Sequence, residues 1–488
     1  MEFTPKSVRD NSFKTTKINR VSKGTLLRCI CAVAIVFGLI ATAGAASAEE
    51  KGLAEREMLT GDWGGARSTL EARGIEIGLE YIGEVFGISG GLYGGERPGR
   101  GPFATYEGIF GGTLDVDLEK FMGWTGGKFS VSGLQINNAE NKNAADYVGS
   151  LADPSNIDAY ATTRLFTLWF EQNFGTLGSI KVGQIAIDEE LLTNRGLING
   201  TFGWATVLSG NLPSGGPAYP LGTPGVRLKI NATENIVLRG AIFSGDPAGR
   251  DCYTYNPDAN PQICNRYGTT FSFSGGAFWM GAAEYKFNQE EGSLGLAGSY
   301  RLGGWYHNAN FADQRFGIDA SGMVVPLALD PALPLYHRNN WGLYGVIKQQ
   351  VWRGAASSAR VFLRSAWTPS DRNLISWYID GGIELKGLLS GRAYDALTIG
   401  IAYSKISPDA VAADKDRALY VDSAWPLRSG ETVFEVTYIA RVTQWWTVQP
   451  DFQIIWKPGG NVPVDEEDLA LGAVPTAYLF GVRSTVTF

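Results

Sequence analysis

The last twelve residues read Ala477-Tyr478-Leu479-Phe480-Gly481-Val482-Arg483-Ser484-Thr485-Val486-Thr487-Phe488. Apolar side chains fall at every second place, Tyr478, Phe480, Val482, Val486 and Phe488, with Arg483, Thr485 and Thr487 between them. A period of two gives a strand one apolar and one polar face. About ten residues is also the length a tilted strand needs to cross a bilayer. A terminal strand has two edges to pair, and closing on the first strand of the same sheet removes the open edge. The stretch therefore predicts a membrane barrel whose final strand meets its first.

The same alternation recurs upstream. Ile75, Ile77, Leu79, Tyr81 and Val85 alternate with Glu76, Glu80 and Glu84; Leu114, Val116 and Leu118 alternate with Asp115, Asp117 and Glu119. Phe129 and Val131 alternate with Lys128, Ser130 and Ser132, and Phe166, Leu168 and Phe170 with Thr167, Trp169 and Glu171. Ile180 and Val182 flank Lys181, and Val226, Leu228 and Ile230 flank Arg227 and Lys229. Further strands are expected near 235–244, 279–288, 293–303, 340–352, 358–367, 374–386, 393–404, 431–442 and 445–456. The total is about sixteen, an even number as in single-chain outer-membrane barrels. Connections alternate in length: short ones near 120–126, 175–177, 233–234, 289–292, 353–357, 387–392 and 443–444, long ones at 87–105, 136–162, 188–223, 245–278, 304–339, 405–430 and 457–476, with a short exception at 368–373. The fold class expected is all-β, a transmembrane antiparallel β-barrel with short periplasmic turns and long extracellular loops.

Composition agrees. Glycine is abundant, 63 of 488 residues, and aromatics make up 12%. Mean hydropathy is −0.07, as expected when the apolar face is hidden in alternation. Lys14, Lys17, Arg20, Lys23 and Arg28 precede an apolar run from Cys29 to Ala43 and the small residues Ala46-Ser47-Ala48, the pattern of an export signal cut after Ala48. Three parts are expected: a signal peptide over 1–48, a periplasmic segment over 49–73 with a short helix, and the barrel over 74–488. The roughly 25 residues before the first strand are too few for a plug, so passive diffusion is expected. Removing the signal lowers the net charge of −7 to roughly −12, which argues against a nucleic-acid partner. Cys29 and Cys31 leave with the signal; Cys252 and Cys264 remain, and an exported pair is expected to form a disulfide rather than two free thiols.

Several blocks in order along the chain resemble the carbohydrate-selective porins of the OprB type. They are Leu59-Thr60-Gly61-Asp62-Trp63-Gly64-Gly65-Ala66-Arg67 with Arg73-Gly74-Ile75; Glu171-Gln172, Val182-Gly183-Gln184 and Asp188-Glu189-Glu190; Gly245-Asp246-Pro247-Ala248-Gly249; Tyr300-Arg301-Leu302-Gly303-Gly304-Trp305-Tyr306-His307; and Gln449-Pro450-Asp451-Phe452-Gln453, Pro458-Gly459-Gly460 and Gly481-Val482-Arg483. The resemblance implies a sixteen-stranded outer-membrane channel of a Gram-negative bacterium, a homotrimer passing monosaccharides such as glucose and small oligosaccharides, with its third outer loop folded into the barrel. The cysteine pair after Gly249 departs from that pattern, so the resemblance does not extend to the outer vestibule or to the preferred solute.

A sugar needs donors and acceptors for its hydroxyls and aromatic faces for its C–H surfaces, held weakly enough to release. The inward candidates are Glu80, Glu84, Asp115, Asp117, Lys128, Trp169, Lys181, Arg227, Lys229 and Arg239, each of which an ordinary wetted lumen would also carry. Asp188, Glu189 and Glu190 open the third outer loop, and facing Lys181, Arg227 and Arg239 they would set a field across the constriction. Trp305-Tyr306, Trp377-Tyr378 and Trp445-Trp446 are expected at the membrane interfaces, with Trp305 or Tyr306 alternatively meeting sugars. The terminal Phe488 is expected to address the barrel-assembly machinery, and outer-membrane lipid to cover the wall. No cofactor or metal motif is present, and with only His307 and His337 available an enzyme is the weaker reading; a general, anion or phosphate porin is the nearer alternative.

Overall fold

The computed structural model describes residues 52–91, 103–138, 144–190, 196–249, 252, 260–290 and 292–488. The expected export signal lies outside them. Among the described residues seventeen strands form one antiparallel sheet: β1 Ile75–Ser89, β2 Phe103–Asp117, β3 Gly127–Asn138, β4 Thr163–Asn173, β5 Gly178–Ile185, β6 Thr223–Asn231, β7 Ile236–Ser244, β8 Ala277–Phe287, β9 Gly298–Ile318, β10 Val324–Pro326, β11 Leu333–Arg353, β12 Ser358–Trp367, β13 Ile375–Lys386, β14 Ala396–Ile406, β15 Gly430–Arg441, β16 Trp446–Trp456 and β17 Ala477–Thr487. Short β10 only adds a rung to the end of β9; the other sixteen close the barrel. Closure is made by β1 on β17, in register from Glu80 opposite Thr487 to Ser89 opposite Tyr478.

Alternation sorts the faces as expected. On β17, Tyr478, Phe480 and Val482 are 43, 65 and 51% exposed on the outside, while Ala477 and Leu479 are fully buried inside. No described helix is long and apolar enough to cross a membrane. The connections 139–162, 186–222, 245–276, 407–429 and 457–476 leave one rim, and turns such as 174–177, 232–235 and 354–357 leave the other. At the turn rim the N-terminal segment holds the end of β17: Leu59 N–H donates to Thr487 O, Arg67 Nη2 to Phe488 O, and Trp445 Nε1 to Leu53 O.

Three expectations need correction. The 304–339 stretch is largely strand, because β9 and β11 each run 21 residues as a paired hairpin. Beyond the bilayer no lipid selects an apolar face, so the mixed run from Asn308 to Arg315, with Phe311 its only large apolar residue, hid the period of two. The expected loop 405–430 holds a helix, Pro408–Tyr420, capped by Ser407 and carrying the ion pairs Asp414–Arg428 and Asp416–Arg315. Phe166 faces inward at a bulge opposite Ser132 and Gly133, its ring against Tyr219.

Candidate pore constriction

Two segments from the long-loop rim fold into the lumen, 144–162 and 196–222. The second brings Leu197, Ile198, Phe202, Trp204, Val207, Leu208 and Leu212 against inward residues of the wall, among them Tyr344, Tyr378, Ile406, Val433, Ile455 and Leu479. Trp204 packs edge-on to Tyr344 at 5.3 Å and lies 5.6 Å from Tyr378, whose hydroxyl donates to Thr201 O at 2.7 Å. This explains the apolar inward residues Phe86 and Ile88 on β1, which join the same cluster. Where protein fills the lumen, the inner face is a core.

The segments are tied down through their backbone N–H groups. Glu435 of β15 accepts from Ile198 N at 2.5 Å and Asn199 N at 2.9 Å; Glu431, two places along the same face, accepts from Leu151 N and Gly459 N at 2.8 Å each. Glu107 of β2 accepts from Ala144 N at 2.6 Å. Gln453 of β16 reaches both segments, accepting from Asn199 Nδ2 at 2.8 Å and donating to Pro154 O at 2.9 Å. Asn156 N donates to Ile198 O at 2.7 Å and Gly200 N to Asp153 O at 2.9 Å, so the segments also hold each other. Glu107, Glu431 and Glu435 are each at most 2% exposed, and a buried carboxylate that accepts several N–H bonds replaces lost water with fixed donors. Within the 144–162 segment burial pushes the Asp153 carboxyl up to about 7, neighbouring Asp146 adding to it, and raises Asp158 well above the carboxylate range.

The rest of the wall carries paired charges. Arg227 meets Glu171 at 2.9 Å, Lys181 meets it at 4.0 Å, and the Lys181 ammonium sits 3.9 Å from the Trp169 ring centre. Glu284 receives Arg239 at 2.5 Å, Arg301 at 3.3 Å and Lys286 at 3.7 Å. Arg364 pairs with Asp380 at 2.8 Å. Register puts several of these in one cross-strand row: Glu284, Arg301, Val346, Arg364 and Asp380 are successive partners on β8, β9, β11, β12 and β13. The row continues as Ala402, Val433, Ile455 and Ala477 on β14 to β17, where the inserted segments lean. One side of the lumen is thus charged, and the other is packed.

Among the sequence candidates, Lys181, Arg227, Trp169 and Arg239 sit in this charged wall. Trp169 offers less than expected, because the Lys181 ammonium covers one of its faces. Lys229 stands opposite Arg239 on the neighbouring strand. Glu84 pairs with Arg483, which also donates to Asn156 Oδ1 of the first inserted segment; Glu80 is exposed on the same face of β1. Asp115 pairs with Lys128 at 3.6 Å. Asp117 belongs to the turn rim, where it caps the Leu118–Met122 helix through the N–H groups of Glu119 and Lys120. The third loop enters the barrel, and at its start Asp188 accepts Tyr219 N of the same loop at 3.0 Å. The side chains of Glu189 and Glu190 lie outside the described residues. Trp305 points inward against Phe278, while Tyr306 lies outside beside Trp279; His307 and His337 are on β9 and β11 rather than in a loop. Cys252 and Cys264 are bonded in the outer loop after β7. The tethers Glu107, Glu431 and Glu435 were absent from the expectation, although Glu431, Val433 and Glu435 share a face by the period that marked β1.

The family model for carbohydrate-selective porins of the OprB family matches residues 103–488. The chain belongs to that family. Porin B of Pseudomonas aeruginosa is 28% identical over 464 residues, 90% of this chain and 94% of that one. The fold is that of Pseudomonas putida OprB: a structure at high pH superposes with a TM-score of 0.75 at 24% identity, covering 90% of this chain and all of that one, and one at low pH gives 0.50 at 18%, covering 89% and 99%. The protein is accordingly a sugar-selective channel of the Gram-negative outer membrane, and as an OprB porin it is not an enzyme.

Proposed function

We propose that small carbohydrates such as glucose pass down their gradient between the charged wall and the inserted segments. The observation that carries this reading is the set of carboxylates shared among cations, Glu171 with Lys181 and Arg227, and Glu284 with Arg239, Arg301 and Lys286. Such groups offer sugar hydroxyls donors and acceptors together, and because each is already paired a sugar exchanges one bond for another, which keeps binding weak. Glu80, Asp115 and Lys128 continue the polar surface toward the turn rim. Assembly as a homotrimer, contact of the wall with outer-membrane lipid, export through the 1–48 signal and delivery to the barrel-assembly machinery belong to the same reading.

The test is single-channel conductance in a planar bilayer with glucose titrated in. Saturable block of the ion current by glucose but not by phosphate is expected, and Arg227→Ala with Glu171→Ala should weaken it at least about fivefold, roughly 1 kcal/mol. Current that no sugar alters would leave a general porin; block by phosphate instead would favour an anion channel, which the three cations around Glu284 would suit.

A further inference from the structure

We propose that the outer loop between β7 and β8, closed by the Cys252–Cys264 disulfide, is a clamp on both inserted segments and sets the width of the constriction from the long-loop rim. The inference rests on the reading of those segments as the constriction.

The described parts of the loop form two limbs, 245–249 with Cys252 leaving β7 and 260–276 returning to β8. Each limb holds a different segment. On the first, Asp246 is 8% exposed, and its Oδ1 accepts from Ser214 Oγ of the 196–222 segment at 2.7 Å. On the second, Gln262 Oε1 accepts from Tyr160 N at 2.7 Å, and Arg266 O accepts from Thr162 Oγ1 at 3.3 Å. The Arg266 guanidinium also lies 5.5 Å from the Tyr160 ring centre. Thr162 is the last residue before β4, so this limb grips the 144–162 segment where it leaves the lumen.

The limbs are joined to each other and to the wall. Cys252 and Cys264 are bonded across a separation of 12 residues, and buried Asn265 donates to Pro247 O at 2.9 Å while accepting from Thr270. Tyr267 O accepts from Leu165 N at 3.0 Å, and Gly268 O from Gln184 Nε2 at 2.9 Å. Cys264 closes the Pro261–Cys264 turn of helix that carries Gln262, and Asn260 caps that turn through Gln262 N at 2.8 Å. The disulfide thus bears directly on the residue that holds Tyr160. A cross-link removes most of the freedom of the chain between its ends, so Gln262 stays within reach whenever its bond to Tyr160 opens. Without it the loop gains conformations in which Gln262 is elsewhere and the Tyr160 N–H must turn to water. The segments keep their ties to Glu107, Glu431 and Glu435, so loss of the clamp loosens the constriction without emptying the lumen.

The experiment is single-channel recording of the full-length mature protein and its Cys252→Ser, Cys264→Ser double variant. Time spent at conductance levels above the main one should rise about two- to tenfold in the variant, the range that one hydrogen bond is worth. Glucose should block those levels less well. A dithiol added to the oxidised wild type should act alike: it closes to its own disulfide and delivers two electrons and two protons, leaving Cys252 and Cys264 as thiols. That reaction is made on a folded channel, so the test survives a variant that does not fold. Gln262→Leu should reproduce the effect and add little to it in the double-serine background. Gln262→Glu, which keeps an acceptor oxygen for Tyr160 N, should stay at the wild-type level. The heat-modifiable band should be the same throughout, which a general loss of barrel stability would not leave. Wild-type levels in the double-serine variant and after complete reduction would overturn the proposal. So would full additivity of Gln262→Leu with loss of the cysteines, which would assign the disulfide to another part of the loop. Glu435→Leu is recorded alongside. If it widens the channel where the double-serine variant does not, the clamp fails alone; if neither alters the current, the reading of the segments as the constriction falls with it.

Discussion

Glu435 shows how much of the constriction one side chain can hold. It accepts two backbone N–H groups of the inserted segment from a fully buried position. Replacing it with leucine leaves both donors unpaired, at a cost of about 1–3 kcal/mol each. That exceeds what most surface tethers contribute. Glu435→Leu is therefore expected to raise single-channel conductance and reduce glucose discrimination, with the thermal unfolding of the barrel little changed. Asp153 gives the opposite kind of test. Its folded pKa is raised to about 7 from 3.8 by burial and Asp146, so the seated segment binds more protons than the released one between those values. Stability of the seat is then greatest at low pH and falls as pH rises through about 7. Asp146, Asp158 and Glu107 set further carboxyls near it, and Tyr219 stands between Asp158 and Arg164. Open-channel current noise should increase from pH 5 to pH 8, and Asp153→Asn should flatten that dependence; an unchanged slope in the variant would place the titration elsewhere.

At the level of elements, the inserted 196–222 segment behaves as a small core docked inside a barrel. Trp204 is its wedge, 3% exposed between Tyr344 and Tyr378. Trp204→Ala removes a buried indole, a change worth about 3–5 kcal/mol where the site cannot collapse. Because the barrel's own ladder is untouched, the expected loss falls on the segment: limited proteolysis within it should accelerate while the heat-modifiable band of the folded barrel persists. The strands themselves were legible from their period of two, because the lipid imposes it. The inserted segments were legible only as long connections, since neither Ile198 nor Trp204 carries any mark of which wall it meets. The β9–β11 hairpin was missed for the reverse reason, being strand where no lipid imposes a pattern.

Across the whole molecule the informative property is a division of the lumen. A single cross-strand row changes from Glu284, Arg301, Arg364 and Asp380 to Ala402, Val433 and Ile455 as it passes from β13 to β14. Each residue's face could be read from alternation, which is why Lys181, Arg227 and Arg239 were identified. The row could not, because it depends on the register of eight neighbouring strands, and so Glu284, Arg301, Arg364 and Asp380 were not singled out. The charged side has more than one cation per carboxylate around Glu284, so its ion preference is testable. Neutralising Arg239 and Arg301 together, as glutamine, should lower anion-over-cation permeability, read as a shift of the reversal potential in a salt gradient. No shift would assign the lumen field to other groups.

The carboxylate tethers have a consequence for the order of events during insertion. Ile198 is held by a residue 237 positions later in the chain, Leu151 by one 280 later, and Pro154 O by one 299 later. A strand that has not yet entered the membrane cannot hold anything. Until β15 and β16 are in place, the early segments lack these three ties and keep those to Glu107, Tyr344 and Tyr378. Narrowing is therefore complete only once β15 and β16 stand in the wall beside β17. A cell in which that step is slowed would carry half-built channels as leaks, and would reveal them as sensitivity to large antibiotics that the finished channel excludes.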